Sequence, residues 1–456
     1  MPPTAYSRVY FLGILGSFMS SLAIISARTG ITVGGSDKAA ESQGTALHDT
    51  IKVYAGHSPA NLAEFSPDLV VYSMAISEDN PELLYAHSVG IPTLTRAQYA
   101  ALLIDRYPLN IAVAGSHGKS TVTAMIYSAL TDAGIDAGVI SGAKTAKGSS
   151  FAIGSEAIVY EACEYKNSFL SFRPDIAVVN NLELDHTDFF RSLADIKNSF
   201  LIFINSAKRL AILNADDANL SSLIPWITAR VLTVGRSPDA DFRYERCHSA
   251  DGRYRLRVYR RDLLICDIAP ILSGEHNAFN LSVAVAVSYI MGLGCSSLLS
   301  LESFIGIERR CERICRIYNT DIIYDYAHHP TEISASLSLL SEKGYKNILL
   351  IFAPHTFSRT AFFMDSLALA LGDSALCAVA DIFPAREAPI EGITAKTLCD
   401  RINACGGKAV CLCEFASVRE LDIYKYDCVA LMGAGDLEKI KREILDIKKS
   451  QNGEDK

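Results

Sequence analysis

The sequence predicts an α/β chain of three successive domains built on largely parallel sheets. Three observations carry this. At 456 residues the chain is too long for a single hydrophobic core. Short apolar runs alternate with helix-spaced stretches along its length, the pattern of parallel strands joined by helical crossovers. Polar segments, many bearing histidine, follow those runs directly, where open parallel sheets hold their ligands. The stretches divide as 1–107, 108–316 and 317–456.

Hydrophobic content of 49% and charged content of 21% are those of a soluble globular protein. A net charge of −8 with no dense Lys/Arg stripe gives no footprint for nucleic acid. Twelve cysteines are scattered without a Cys-x-x-Cys pair, which reads as reduced thiols in a cytoplasmic protein. The polar end from Lys448 to Lys456 is expected to fray.

In the first stretch, Val9 to Leu12 reads as a strand, Met19 to Arg28 as a helix, and Ile31 to Val33 as a second strand running into Gly34-Gly35-Ser36-Asp37. The uncharged run between Arg8 and Arg28 spans 19 residues, a length that also suggests a signal peptide or a membrane span. Gly13, Gly16, Ser17, Ser20 and Ser21 interrupt it and a further strand follows at once, so a buried βαβ unit is expected and no membrane span. Leu69 to Tyr72, followed by Ser73-Met74-Ala75-Ile76, and Ile91 to Leu94 continue the sheet. The turn Gly13 to Phe18 has two of the three glycines of a dinucleotide fingerprint, which is weak evidence for such a ligand.

The second stretch opens on the most informative motif. A strand, Asn110 to Ala114, leads into Gly115-Ser116-His117-Gly118-Lys119-Ser120-Thr121, and Val122, Met125, Ile126, Ala129 and Leu130 then repeat at helical spacing. Strand, glycine loop and helix form a cradle for a nucleoside triphosphate, because loop N–H groups and the helix N-terminus both point at anions. Lys119 would reach the outer phosphates and the Ser120 hydroxyl would ligate Mg²⁺. The loop is shorter than the usual pattern, with two residues rather than four between its glycines. Glu161, ending the strand Ala157 to Tyr160, is the best carboxylate for that hard cation. His186, beyond the strand Ile176 to Val179, would hold a second metal ion or orient substrate. Ala211 to Leu213 is a further strand, Asp239 to Ile271 reads as antiparallel, and Ser273 to Asn277 starts a helix. His276 and Asn277 leave two readings open: a helix cap through Asn277, or an amide that reads adenine.

The third stretch has strands at Ile322 to Tyr324, Ile348 to Phe352, Cys377 to Ala380 and Cys428 to Leu431. Their polar sequels are Asp325 to Pro330, Ala353 to Arg359, Asp381 to Glu387 and Gly433 to Asp436. Six of the ten histidines (His117, His186, His276, His328, His329, His355) lie at strand ends or helix starts, and such clustering favours a functional site. Arg359 reads either as a bidentate carboxylate holder or as a surface arginine near a helix start.

Together these motifs resemble the Mur ligase family over essentially the full length. The resemblance rests on Gly34 to Asp37, Ser73 to Ile76 with Asn80-Pro81, the loop Gly115 to Thr121, and Glu161-Ala162-Cys163-Glu164. It continues through Leu184-Asp185-His186, His276 to Asn280, Glu308-Arg309-Arg310, Pro354-His355 with Ser358-Arg359-Thr360, and Met432 to Asp436. Its most specific run is Asp325-Tyr326-Ala327-His328-His329-Pro330-Thr331-Glu332.

The resemblance implies a Rossmann-like first domain for a UDP-sugar, a central P-loop ATPase-like domain for ATP, and a Rossmann-like third domain that brings an amino acid. It also implies a reaction in the cytoplasm, by a monomer or homodimer. ATP phosphorylates the lactyl carboxylate of UDP-N-acetylmuramate, and the amine of L-alanine attacks the acyl phosphate. Carried over residue by residue, Gly115, Ser116, His117, Gly118, Lys119, Ser120 and Thr121 hold the phosphates. Ser120 and Glu161 ligate Mg²⁺, with His186 at a second metal site. His276 and Asn277 lie beside adenine, and Arg310 and Asp325 approach the nucleotide across the domain boundary. Tyr326, His328, His355 and Arg359 form the alanine site; Ser36, Asp37, Ser73 and the first loop face the UDP group.

Two departures stand out. The family's first loop reads Gly-Ile-Gly-Gly-x-Gly-Met-Ser, and here Leu15 and Phe18 replace glycines, which implies weaker or altered UDP-sugar binding. Many relatives carry a modified lysine after the Asp-His motif; the spacing puts Phe200 there, as in the alanine-adding branch. The rival readings are a sister ligase that joins a ready-made peptide to the same UDP-sugar, and a decayed homologue that only binds nucleotide.

Overall fold

Three sheets organise the chain. The structure, a computed structural model, describes residues 6–40, 50–143, 150–248, 254–294, 298–385, 387–414, 418–435 and 437–452. Arg386 and Asp436, which belong to polar segments read from the sequence, lie outside them.

The first sheet has β1 (Arg8–Leu12), β2 (Thr32–Asp37), β3 (Lys52–Ala55), β4 (Leu69–Tyr72) and β5 (Thr93–Thr95) in the order 3-2-1-4-5. Every pairing is parallel. β1 is covered on both faces: Val9 and Phe11 join one core cluster, Tyr10 and Leu12 the other. Burial on two sides explains its unbroken apolar run. The following helix, Ser17–Arg28, packs Met19, Leu22, Ala23 and Ile25 into the same core. Among the described residues no helix is long and apolar enough to cross a membrane. The last strand starts at Thr93 rather than Ile91, because Pro92 has no N–H to give a ladder. Thr95 then closes a capping box with Gln98 on the helix Arg96–Ile104.

The ten-stranded central sheet contains β6 (Leu109–Ala114), β7 (Ala137–Ile140), β8 (Phe151–Ala152), β9 (Ala157–Glu161), β10 (Ile176–Val179), β11 (Leu210–Asn214), β12 (Val231–Gly235), β13 (Phe242–His248), β14 (Tyr254–Arg260) and β15 (Leu263–Ile268). Their order is 15-14-13-12-11-10-6-9-7-8. β13 to β15 form the antiparallel patch, with a register shift at Val258/Tyr259. The helices Lys119–Asp132 and Glu275–Ile290 bury Val122, Met125, Ala129, Ala278, Leu281 and Val285 in one core. Phe200 is fully buried against Phe169, with 5.1 Å between ring centroids, so apolar packing fills the position where the resemblance allows a modified lysine.

The third sheet holds β16 (Glu312–Ile317), β17 (Thr320–Asp325), β18 (Ile348–Ala353), β19 (Leu376–Val379), β20 (Ala409–Cys411) and β21 (Cys428–Gly433), in the order 16-17-21-18-19-20. β16 is an antiparallel edge strand that begins before the expected boundary and ends at Ile317. Its three charged residues hide it from an apolar-run reading, since an edge strand tolerates charge on its open side. The last helix, Glu438–Asn452, packs Ile440, Ile444 and Ile447 into the core and carries the first five residues of the tail expected to fray; residues 453–456 lie outside the described residues.

Candidate functional site

The phosphate loop sits between β6 and the helix Lys119–Asp132. Gly115 has φ +133° and Gly118 φ +80°, and a Cβ on either would come within 3.1 Å of Asn180 and Asn181 backbone or of Asn280. Both positions therefore need glycine. The segment after β10 braces the loop. Asn181 accepts from His117 N–H at 2.7 Å, and Ser116 Oγ accepts from Glu183 N–H at 2.8 Å while donating to Glu183 O at 3.0 Å. Asn180 and Asn181 have no site role in the sequence reading because a strand-end asparagine carries no distinctive spacing, and Asn280 has none because it sits inside the helix Glu275–Ile290.

Lys119 reaches back over the loop, donating to Ser116 O at 3.1 Å and pairing with Glu164 at 3.0 Å. Glu164 is fully buried, and its second neighbour is Nε2 of His186 at 3.4 Å. Burial pushes the Glu164 carboxyl up, yet Lys119 and then His186 hold it below the ordinary value. Burial likewise pulls Lys119 down and Glu164 outweighs it, so the ammonium is retained. Glu164, quoted in the sequence as part of a motif but given no role, is thus the group that fixes both Lys119 and His186. Glu161 accepts from Ser141 Oγ and from Gly142 N–H at 2.8 Å, both on Oε1. Among the described residues, Oε2 of Glu161 and the Ser120 hydroxyl have no hydrogen bond. Two free oxygen donors at the phosphate end are the chemistry that Mg²⁺ prefers, so the residues present fit that ion.

The third sheet meets the central one at this place. Arg359 pairs with the buried Asp185 at 2.7 Å. Glu332 lies 3.3 Å from His117, 3.0 Å from Arg310 and 3.4 Å from His328. Tyr326 and His328 stack edge to face at 5.4 Å, and His355 stacks on Phe383 at 5.7 Å. Burial, and next the Arg359 charge, pushes His355 down to about 4. Burial also lowers His328. Both rings are therefore neutral near pH 7. Nδ1 of His328 lies 3.0 Å from the Tyr326 carbonyl, so that nitrogen carries the proton and Nε2 is the acceptor. Tyr326, His328, His355 and Arg359 are thus brought together, with Asp185 and Glu332 as partners that the sequence reading left unassigned.

A cavity of about 590 Å³ opens beside the phosphate loop, lined by His117, Gly118, Thr121, Asn181, Tyr244, His276, Asn277, Phe279, Arg310 and Asp325 among others. Asn277 is no cap: the helix begins after Gly274, and the Asn277 amide donates to Ser273 O at 2.9 Å, which leaves its carbonyl free toward the cavity. Asp325 lines the cavity but spends its oxygens on Ala327 N–H, Cys311 and Ser336 Oγ.

The first loop differs from expectation. The Ser36 hydroxyl is fully buried and bonds to Glu82 and to His57 at 2.9 Å, so it faces the core rather than a ligand. Its carbonyl instead accepts from Gly13 and Ile14, and Asp37 accepts from Leu15 N–H at 3.0 Å. Phe18 lies under the Arg96 guanidinium, 4.7 Å from ring centroid to charge. Ser73 Oγ accepts from Ala75 N–H at 3.2 Å beside this loop.

The His117 cluster makes a pH prediction. Burial lowers this imidazole, but Glu332 and Glu183 outweigh that and raise it to about 9. A group raised on folding gives its full stabilisation below its free value of about 6.5 and loses it as pH climbs through 9. Urea midpoints should fall between pH 6.5 and 9.5 by the equivalent of roughly 1–3 kcal/mol. The His117→Gln variant should show a flatter profile over that window; an equally steep one would place the titration elsewhere.

Three family descriptions match the chain: Mur ligase family, catalytic domain at residues 8–108; Mur ligase middle domain at 113–288; and Mur ligase, glutamate ligase domain at 309–435. The UDP-N-acetylmuramate–L-alanine ligase of Acetivibrio thermocellus is 36% identical, covering 98% of this chain and 97% of its own. That of Persephonella marina is 35% identical, with 98% of each chain covered. Among solved structures, the UDP-N-acetylmuramate–alanine ligase of Thermotoga maritima superposes with a TM-score of 0.78 at 25% identity, covering 97% of this chain and 99% of that one. A murein peptide ligase from Psychrobacter arcticus gives 0.69 at 25% identity, covering 96% and 98%.

Proposed function

Because the chain belongs to the Mur ligase family, we propose that it is the ATP-dependent ligase that joins L-alanine to the lactyl carboxylate of UDP-N-acetylmuramate, a cytoplasmic step of peptidoglycan precursor synthesis. The observation that carries this reading is the meeting of a phosphate loop with an imidazole–arginine cluster, joined by the Arg359–Asp185 pair.

ATP lies in the cavity, with its phosphates on the Gly115–Thr121 loop and its base near Tyr244, His276, Asn277 and Phe279. The free Asn277 carbonyl suits an exocyclic amine. Lys119 neutralises charge on the transferring phosphoryl group, and Glu164 keeps that ammonium aimed and charged. Ser120 and Glu161 would hold Mg²⁺, which supplies further neutralisation of the phosphates, and His186 borders that place. The products of the first step are an acyl phosphate and ADP. Arg359 takes the carboxylate of L-alanine on the part of its fork that Asp185 leaves open. The amine of L-alanine then attacks the acyl carbon, the C–O bond to the phosphoryl group breaks to release inorganic phosphate, and Nε2 of His328 accepts the proton that the amine loses as the amide forms.

The peptide-joining reading has its own support in the similarity to the murein peptide ligase. A phosphate-release assay with ATP, Mg²⁺ and UDP-N-acetylmuramate separates the readings. It compares L-alanine, glycine, L-serine and the tripeptide L-alanyl-γ-D-glutamyl-meso-diaminopimelate. Release with L-alanine above the tripeptide is expected; the reverse order makes this the recycling enzyme, and no release with any of them makes it a binder.

The first loop supplies a further prediction. Leu15→Gly with Phe18→Gly should tighten UDP-N-acetylmuramate binding several-fold in calorimetry, since glycine at both places restores the close backbone approach to a pyrophosphate that the family's loop implies. The same pair should cost stability. Phe18 packs on the core and lies in a helix, where glycine alone costs about 1 kcal/mol. Unchanged affinity would remove this loop from the UDP site.

A further inference from the structure

His117, Glu183 and His329, none of them a residue assigned above to Mg²⁺, place three ligand atoms within 4.8 Å of one another. Oε2 of Glu183 is the centre of the group: Nε2 of His117 lies 3.5 Å from it and Nδ1 of His329 lies 3.3 Å from it. Those separations are long for charge-assisted hydrogen bonds, which run about 2.7–2.9 Å. They match the ligand-to-ligand edge of a tetrahedral cation, about 3.4 Å for bonds of roughly 2.0–2.1 Å. Nε2 of His117, the atom that faces Glu183, is buried without a hydrogen-bond partner, and Nδ1 of the buried His329 holds only a long 3.3 Å bond from Thr331 N–H, which ligation would replace. Buried ring nitrogens without partners are uncommon, and a site that expects a ligand is one explanation.

We propose that His117, Glu183 and His329 form a binding site for a zinc-class divalent cation that ties the phosphate loop to the C-terminal unit. Two imidazoles and one carboxylate are the donor set of a zinc site with an open fourth position, and they are too nitrogen-rich for Mg²⁺. The three ligands come from both sides of the junction: His117 and Glu183 follow β6 and β10, and His329 caps the helix Pro330–Glu342 behind β17. Thr331 Oγ donates to Glu183 Oε2 at 2.8 Å, the kind of outer contact that orients a ligating carboxylate. His117 must shed a proton that Glu332 and Glu183 favour, and the cation displaces it. His117 and Glu183 also line the cavity given above to ATP, so the site is tested by zinc binding to the nucleotide-free chain and not by turnover.

The test uses the full chain free of nucleotide, titrated with ZnCl₂ in equilibrium dialysis, and with CoCl₂ in visible absorption. The parent should bind one zinc that raises its melting temperature. His329→Asn should bind that zinc at least tenfold more weakly, since outer-sphere changes alone cost 10–100-fold. Asparagine is a good helix cap, so this variant keeps the helix start. Glu183→Gln provides a second variant with the same expectation. The cobalt spectrum should lack thiolate charge-transfer bands, which separates this site from the free cysteines. Parental zinc affinity in both variants, or thiolate bands in the cobalt form, overturns the site.

Discussion

Lys119→Ala is expected to reduce phosphate release by roughly 10³-fold or more, because a fixed cation is lost where phosphoryl charge develops. It is also expected to lower the melting temperature. Lys119 is the nearest counter-charge of Glu164, a carboxylate with no exposed surface. Removing one partner of a buried pair costs about 3–5 kcal/mol in general. His186 at 3.4 Å and the slight exposure of Lys119 bring the expectation here toward 2–3 kcal/mol. The double variant Lys119→Ala with Glu164→Gln distinguishes the two losses. It should melt closer to the parent, since no buried charge is left unpaired, and remain inactive. Parental phosphate release from Lys119→Ala would show that the loop does not grip the nucleotide. Parental melting of the single variant would show that the Glu164 pair does not hold the loop.

Glu164 also marks where sequence reading stops. The phosphate loop was legible because strand, glycines and helix are a local pattern, and β6 and the helix Lys119–Asp132 lie where that pattern puts them. Most parallel strands of the three sheets were legible as short apolar runs for the same reason, but β3, β7, β12 and β20 were not read. What was not legible depends on contacts distant in sequence. Glu332 is 215 positions from His117, and its three cationic or imidazole neighbours come from three segments. Ser36 reads as a ligand contact beside two glycines; only the folded chain brings Glu82 and His57 to its hydroxyl. Edge strand β16 escaped because its charges break the apolar run, although backbone pairing with β17 alone suffices to form it.

Arg359→Lys is expected to lower kcat/KM for L-alanine about 10²-fold, mostly through KM. Hydrogen bonds to a charged group contribute about 1.5–3 kcal/mol, and lysine cannot present two parallel N–H groups to a carboxylate. Arg359 has a second possible use, since its Nη2 already holds Asp185 at 2.7 Å across the junction of the central and third sheets. A residue that only closes that junction should affect every substrate alike. Asp185→Asn provides the comparison, because it removes the junction charge and leaves the guanidinium in place. Burial pushes the Asp185 carboxyl up, and Arg359 and then His186 hold it far below the ordinary range, so the pair stays ionised at all working pH values. If Arg359 holds the amino acid, Arg359→Lys raises KM for L-alanine alone, while Asp185→Asn shifts kcat and all three KM values together. Initial rates with each substrate varied in turn separate the outcomes. Matching profiles for the two variants would reduce Arg359 to a strut between domains and leave the alanine carboxylate without its proposed partner.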